Sequence, residues 1–316
     1  MRFLSTKPLI VIICLFMAAC SEPNKQTLRI GTNVWPGYEP LYLARELGYF
    51  HENEIRLIEY TSASQVLKAY RNGLLDSAAL TLDEAIVLLE TGEDFRIILA
   101  MDESNGADAL LGQPSLKSID ELRGKRIGVE HTALGAYFLY RIIELTALDE
   151  KDITVVSLEV NQHVRAFKEK QVDAVISFDP SRSEIIENGG NVLFDSAQIP
   201  GEIVDVLIVR ADKMGLFEKN IDNLKYAWFK AVGGIQNKPN KYLKTIDKRM
   251  RMGEENVISM FEGLAFPDKE KNNFLLNSTE GKSLIVSSKK MARIMSENGL
   301  IDSIVDTDVM FKAMAK

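Results

Sequence analysis

The sequence predicts an α/β protein of two similar lobes, each a mostly parallel sheet flanked by helices, with a ligand cleft between them. Three observations carry this. The 316 residues suffice for about two domains. Short apolar runs rich in β-formers alternate with amphipathic stretches, the pattern of βαβ units. The chain also repeats itself: "QVLKAYRNGLLDSAAL" (Gln65 to Leu80) matches "QHVRAFKEKQVDAVIS" (Gln162 to Ser177), with Lys68 over Arg165, Tyr70 over Phe167, Leu75 over Val172 and Asp76 over Asp173. A second block, "LRIGT" against "KRIGV", sets Gly31 over Gly128 at the same offset of 97. Two separated blocks in one register imply two copies of one supersecondary plan.

Each copy reads strand, helix, strand, helix, strand. In the first, Leu28–Val34, Ile55–Tyr60 and Ser77–Thr81 are strands, and Glu39–Leu47 and Ser64–Asn72 are helices. Leu82–Glu90 and Phe95–Met101 continue the alternation. In the second, Arg126–Glu130, Leu134–Thr146, Ile153–Leu158, Gln162–Lys170 and Val172–Ser177 follow the same order. Right-handed crossovers place helices on both sheet faces. The chain leaves the first lobe around Gly106 to Leu111. It returns around Val204 to Arg210, where "IVDVLIVR" makes a late strand. The first lobe is then 27–106 plus 205–316, and the second is 107–204. The helical stretches after Phe217 are expected to pack on the first lobe.

A net charge of −7 offers no general attraction for nucleic acid, and no basic aromatic patch changes that. Arg2 and Lys7, the apolar run Leu9 to Ala19 and the small residues Ala18 and Ala19 read as a signal peptide over 1–19. Its end, "LFMAAC", resembles the lipobox of bacterial lipoproteins. That implies cleavage before Cys20 and lipid on its sulfur. Cys14 goes with the signal, so the mature chain has one thiol, no internal disulfide and no cysteine zinc site. The polar stretch 20–26 reads as a tether, and no other segment is apolar enough to cross a bilayer. The folded part is expected on the periplasmic side of a bacterial membrane, anchored at Cys20.

Ligands of open α/β sheets sit at the carboxyl ends of the strands. Those ends carry Asn33–Tyr38, Thr61–Ser64 and Thr81–Asp83 in the first copy, and Glu130–Leu134, Leu158–Asn161 and Phe178–Pro180 in the second. Trp35 and Tyr38 are costly to expose on a turn. They suit a flat ring or an ammonium, although Trp35 also suits core packing. Ser62 or Ser64 caps the helix that follows, and free N–H groups at that helix end suit a polar ligand group. His131 and Thr132 repeat the arrangement. Asp76 and Asp173 read as turn residues. His51 and His163 read as surface residues.

The segments "NVWPGYEPLYLARELGYF", "LTLDEAIVL", "IDELRGKRIGV" and "VDAVISFDP" are similar to periplasmic binding proteins for nitrate, sulfonate, taurine and thiamine-pyrimidine compounds. The resemblance covers roughly Leu28 to Arg210. It implies the type II binding-protein fold, an ABC permease and ATPase as partners, and a monomer that needs no cofactor or metal. It also places Trp35, Pro36, Tyr38, Thr61, Thr81, Thr132 and Ser177–Asp179 on cleft loops. One departure matters. "EHTALGA" has Ala133 and Leu134 where small hydroxyl residues would help hold an oxyanion. Asp83, Asp108 and Asp179 are candidate cleft carboxylates, and unpaired carboxylates repel anions. A ligand with an amine group, or a neutral heterocycle, is therefore favoured over a plain oxyanion.

Two alternatives differ in class. A sensory binding protein would share the fold and present its ligand to a membrane receptor or kinase. An enzyme of thiamine-pyrimidine metabolism would need histidine and a cysteine-rich segment, and the sequence has no such segment. It also has no phosphate loop or His-Glu-x-x-His motif. His131 is the only candidate general base.

Overall fold

The computed structural model describes residues 26–130 and 132–312. The lipidation expected at Cys20 and the contact expected of His131 fall outside them. Eleven strands form two sheets among the described residues. The first copy supplies β1 (Leu28–Asn33), α1 (Glu39–Glu46), β2 (Ile55–Tyr60), α2 (Ala63–Arg71), β3 (Ser77–Thr81), α3 (Leu82–Glu90) and β4 (Phe95–Ser104). The chain crosses to β5 (Ala109–Gly112), β6 (Lys125–Val129), α4 (Ala133–Leu145), β7 (Ile153–Ser157), α5 (Val160–Lys168), β8 (Ala174–Ser177), α6 (Ser181–Glu187) and β9 (Asn191–Asp195). It returns through β10 (Val204–Arg210). The helices α7 (Glu218–Asn237), α8 (Pro239–Met250) and α9 (Glu254–Glu262) lead to β11 (Leu264–Ala265), followed by α10 (Lys269–Asn277) and α11 (Leu284–Glu297).

The first sheet runs β11-β4-β10-β3-β1-β2 and the second β7-β6-β8-β5-β9. Both are mixed, with most strands of each running one way. The β1, β2 and β3 pairings are parallel, as are those of β6 with β7 and β8. β10 runs antiparallel between β3 and β4, and β5 antiparallel between β8 and β9. The cause is the double crossing. A strand that arrives from the other lobe enters the sheet from the opposite end, so it lies against the βαβ direction.

The repeat has a physical basis at its strand starts. The Asp76 carboxylate accepts the backbone N–H of Arg29 at 3.0 Å and its Nε at 2.8 Å. The Asp173 carboxylate accepts the same groups of Arg126 at 2.9 and 3.1 Å. These aspartates are thus clamps between parallel strands, not merely turn residues. Gly31 and Gly128 match for a packing reason. A Cβ on Gly31 would sit 2.3 Å from Leu75 Cδ1, and one on Gly128 2.9 Å from Leu158 Cδ1.

Leu41, Leu43 and Tyr42 of α1 pack with Leu224, Ala227, Trp228 and Ala231 of α7 over one face of the first sheet. Ile86 and Leu88 of α3 pack with Met291, Ala292 and Met295 of α11 on the other. No helix among the described residues is long and apolar enough to cross a membrane.

The two crossings are tied together. The Ser196 hydroxyl meets the Ser104 hydroxyl at 2.7 Å and accepts the Gly106 N–H at 2.6 Å, while the Ser196 N–H donates to the Asp108 carbonyl at 2.9 Å. Gly106 has φ +106°, which favours glycine at this crossing.

Candidate ligand cleft between the lobes

β1 ends at Asn33, and Pro36 opens a single 3₁₀ turn, Pro36–Tyr38, before α1. This turn aims two aromatic rings at the space between the sheets, and both are buried. The Trp35 indole N–H donates to the Asp102 carboxylate at 3.2 Å. The Tyr38 hydroxyl donates to Asp205. Gly37 makes the Trp35–Asp102 approach possible, since a Cβ there would sit 2.0 Å from Asp102 Oδ2 and 2.3 Å from Trp35 Nε1. Trp35 therefore packs in the core and also faces the cleft. From the opposite lobe, Phe178 presents its ring edge-on to Trp35, with centroids 5.1 Å apart at 84°.

The lobes enclose a cavity of about 20 Å³ lined by residues of both, room for a water molecule or so as it stands. The first lobe contributes Asn33, Trp35, Tyr38, Ala63, Thr81, Glu84 and Asp205. The opposite wall comes from Asp108, Glu130, Thr132, Leu134 and Phe178. Four carboxylates line this space, and no lysine or arginine does among the described residues. Asp83 and Asp102 are buried as well. Asp102 and Asp205 sit side by side in the antiparallel register of β4 and β10, where like charges are unfavourable.

Burial dominates the electrostatics. It pushes Asp108 up to about 7, with repulsion from Asp83 adding to it. It pushes Glu130 up to about 7, with Glu159 adding. Asp205 rises well above the usual carboxylate range through burial and then Asp102, and Glu84 through burial and then Asp83 and Glu130. Three oxygens on the cavity wall, Glu84 Oε1, Asp108 Oδ2 and Asp205 Oδ2, have no hydrogen-bond partner among the described residues.

Glu130 is held from across the cleft. Its Oε1 accepts the backbone N–H of Ser64 at 3.3 Å and the Ser64 hydroxyl at 3.4 Å, at the amino end of α2. The helix end that the sequence marks for a polar ligand group is thus engaged by the protein's own carboxylate. At the amino end of α3, the Thr81 N–H donates to Glu84 Oε2 at 3.2 Å.

Five residues named from sequence meet at the cavity: Trp35, Tyr38, Thr81, Asp108 and Thr132. The other described ones do not line it. Pro36 is buried behind the turn, and Thr61 accepts Gln65 Nε2 at 2.7 Å. Ser62 and Asp83 are buried behind the wall. Ser177 Oγ lies 3.1 Å from Nδ1 of His163. Asp179 accepts the N–H of Ser183 at 2.9 Å and its hydroxyl at 2.6 Å, holding the first turn of α6. His163 itself is 1% exposed, not a surface residue, and burial lowers its imidazole to about 4. Phe178 lies within the stretch Ser177–Asp179 that the resemblance places on a cleft loop, whereas Glu84, Glu130 and Asp205 were not singled out from sequence. Glu130 and Phe178 do open the strand-end loops named there, and Asp205 is the lone acid in the apolar run "IVDVLIV".

A family model described as the NMT1-like family matches residues 21–242. The chain belongs to this family. Within 26% identity over 216 residues, it resembles the putative aliphatic sulfonates-binding protein of Bacillus subtilis (strain 168), a match that spans 63% of this chain and 64% of that relative's length. It is 20% identical over 260 residues to the taurine-binding periplasmic protein of Escherichia coli (strain K12), covering 78% of this chain and 79% of that one. The structure of the alkanesulfonate-binding protein SsuA from Xanthomonas axonopodis pv. citri, bound to MOPS, superposes with a TM-score of 0.76 at 17% identity, covering 90% of this chain and 96% of that one. This NMT1-like chain thus has the two-lobed type II periplasmic binding-protein fold.

Proposed function

We propose that the chain is the solute-binding component of an ABC-type importer, capturing a small organic molecule between its lobes and delivering it to a permease. The observation that carries this reading is the cavity whose walls come from both lobes, with Trp35 and Tyr38 facing Phe178 and Glu130. Two lobes joined by a double crossing close around a ligand by a hinge motion. The relatives named as sulfonate- and taurine-binding proteins support the same role. We take the lobes as 27–106 plus 205–316 and 107–204. We read 1–19 as a signal peptide, with lipid on Cys20 holding the lobes at the periplasmic face of a membrane. The role is capture and release, not catalysis.

The test is a thermal-shift screen of the full chain in detergent against amines, pyrimidines, sulfonates and nitrate. A ligand at 100 times its Kd adds about 2.7 kcal/mol of stability. The reading expects at least one such shift, abolished by Trp35→Ala in a folded protein. A screen with no shift, or a full shift retained by that variant, sinks it. Cys20→Ser should abolish incorporation of labelled palmitate.

A further inference from the structure

We propose that the cleft selects a small organic cation bearing N–H donors, an alkylammonium or amidinium, and rejects sulfonates and other oxyanions. This rests on the solute-binding reading and names the chemistry of its ligand.

Charge is the first ground. Glu84, Asp108, Glu130 and Asp205 line the cavity, and no basic side chain among the described residues balances them. An anion entering this space would add charge of the same sign in a desolvated place. Burial already pushes Asp108 and Glu130 up to about 7, as expected of carboxylates short of a counter-charge.

The second ground is independent of net charge. Free N–H groups at a helix amino end are a ready-made anion site. Here the amino end of α2 is engaged by Glu130 of the opposite lobe through Ser64. An oxyanion would have to displace a carboxylate that the protein itself supplies.

The third ground is the set of unpaired oxygens. Glu84 Oε1, Asp108 Oδ2 and Asp205 Oδ2 are buried on the cavity wall without a donor among the described residues. Once a cation enters, these carboxyls ionise and only accept hydrogen bonds, and buried acceptors left unpaired are costly. The complementary ligand brings both positive charge and N–H groups. A quaternary ammonium brings charge alone. A bare metal ion is not the better match, since no described group of acids and histidines is arranged to hold one. Trp35 and Phe178 supply an aromatic wall for the carbon part of the ligand and for a cation–π contact. Closing the lobes brings carboxylates of both walls together, so a cation between them favours the closed form.

The test is isothermal titration calorimetry on the full chain in detergent, with methylguanidinium, putrescine, tetramethylammonium, methanesulfonate and taurine as probes. We expect saturable binding of methylguanidinium or putrescine, at least tenfold tighter than tetramethylammonium, and none of methanesulfonate. Asp205→Asn and Glu84→Gln should each weaken the binding at least tenfold. The probe ranking on the unaltered chain decides the matter even if a variant fails to fold. Binding of methanesulfonate or taurine as tight as the amines would overturn the inference and leave the solute-binding reading standing. Equal affinity for tetramethylammonium would overturn the N–H requirement. If no probe binds, and the wider screen above also finds no ligand, both fall; if that screen finds only uncharged or anionic ligands, the inference alone falls.

Discussion

Glu130, in the second lobe, accepts hydrogen bonds from the N–H and hydroxyl of Ser64 in the first, at 3.3 and 3.4 Å. The bond spans the cleft and exists only when the lobes are together. Glu130→Ala should therefore open the ligand-free chain, seen as a larger radius of gyration in small-angle X-ray scattering. Stability should fall by about 1.5–3 kcal/mol, the scale of a hydrogen bond to a charged acceptor. Glu130→Gln keeps an acceptor and removes a like charge, so it should stay compact. An unchanged radius in the alanine variant would show that Glu130 does not latch the lobes.

The ligand-free protein should lose stability as pH rises. Asp108 and Glu130 titrate near 7 when folded, against about 4 when unfolded. The folded chain then binds more protons across that window, and stability falls from about pH 4 to about pH 7. Thermal melts between pH 5 and 8 should show the decline, and Asp108→Asn should flatten it.

His163 acts with the opposite sign. Its imidazole titrates near 4 when folded, against about 6.5 when unfolded. The folded chain binds fewer protons there, so stability is lost as pH falls from about 6.5 to about 4. The loss amounts to about 3 kcal/mol at 1.36 kcal/mol per unit. Denaturant titrations of His163→Gln should lack that acid-side loss relative to the native chain.

The two Arg–Asp clamps differ in burial. Asp76 is 5% exposed and Asp173 28%. Removing a carboxylate from a buried pair leaves unpaired donors, whereas an exposed pair contributes little. Asp76→Ala should cost about 1–3 kcal/mol and Asp173→Ala under about 1 kcal/mol in urea denaturation. Equal costs would mean that burial does not set their value.

Gly37→Ala should destabilise the chain by about 1–3 kcal/mol through overpacking. The new methyl would lie 2.0 Å from Asp102 Oδ2, forcing Trp35 and Asp102 apart. A shift in tryptophan emission with the expected stability loss checks it.

The lobes and their order were legible because the repeat fixes equivalent positions. Trp35, Tyr38, Thr81 and Thr132 were legible because they follow strand ends, and Asp108 because it is an acid where the chain leaves the first lobe. Asp205 was not, since it enters on a strand from the other lobe and gains its place through antiparallel pairing with Asp102. Glu84 was hidden by its second task, accepting the Thr81 N–H at the start of α3. His163 was misread although the repeat held the answer. It stands opposite Val66, a fully buried residue, so the register itself assigns it to the core. The reversed sense of β5 and β10 was not legible, because local patterns show βαβ units and not the direction in which a distant strand returns.

The Ser196 hydroxyl that joins Ser104 and Gly106 ties the two crossings into one axle. The two crossings turn together there, and a hinge leaves the halves an angle as their main freedom. A small change at the axle becomes a large displacement at the far rims, as with any lever. A protein gripping both rims would sense whether the mouth is full by their separation alone, without touching what lies inside.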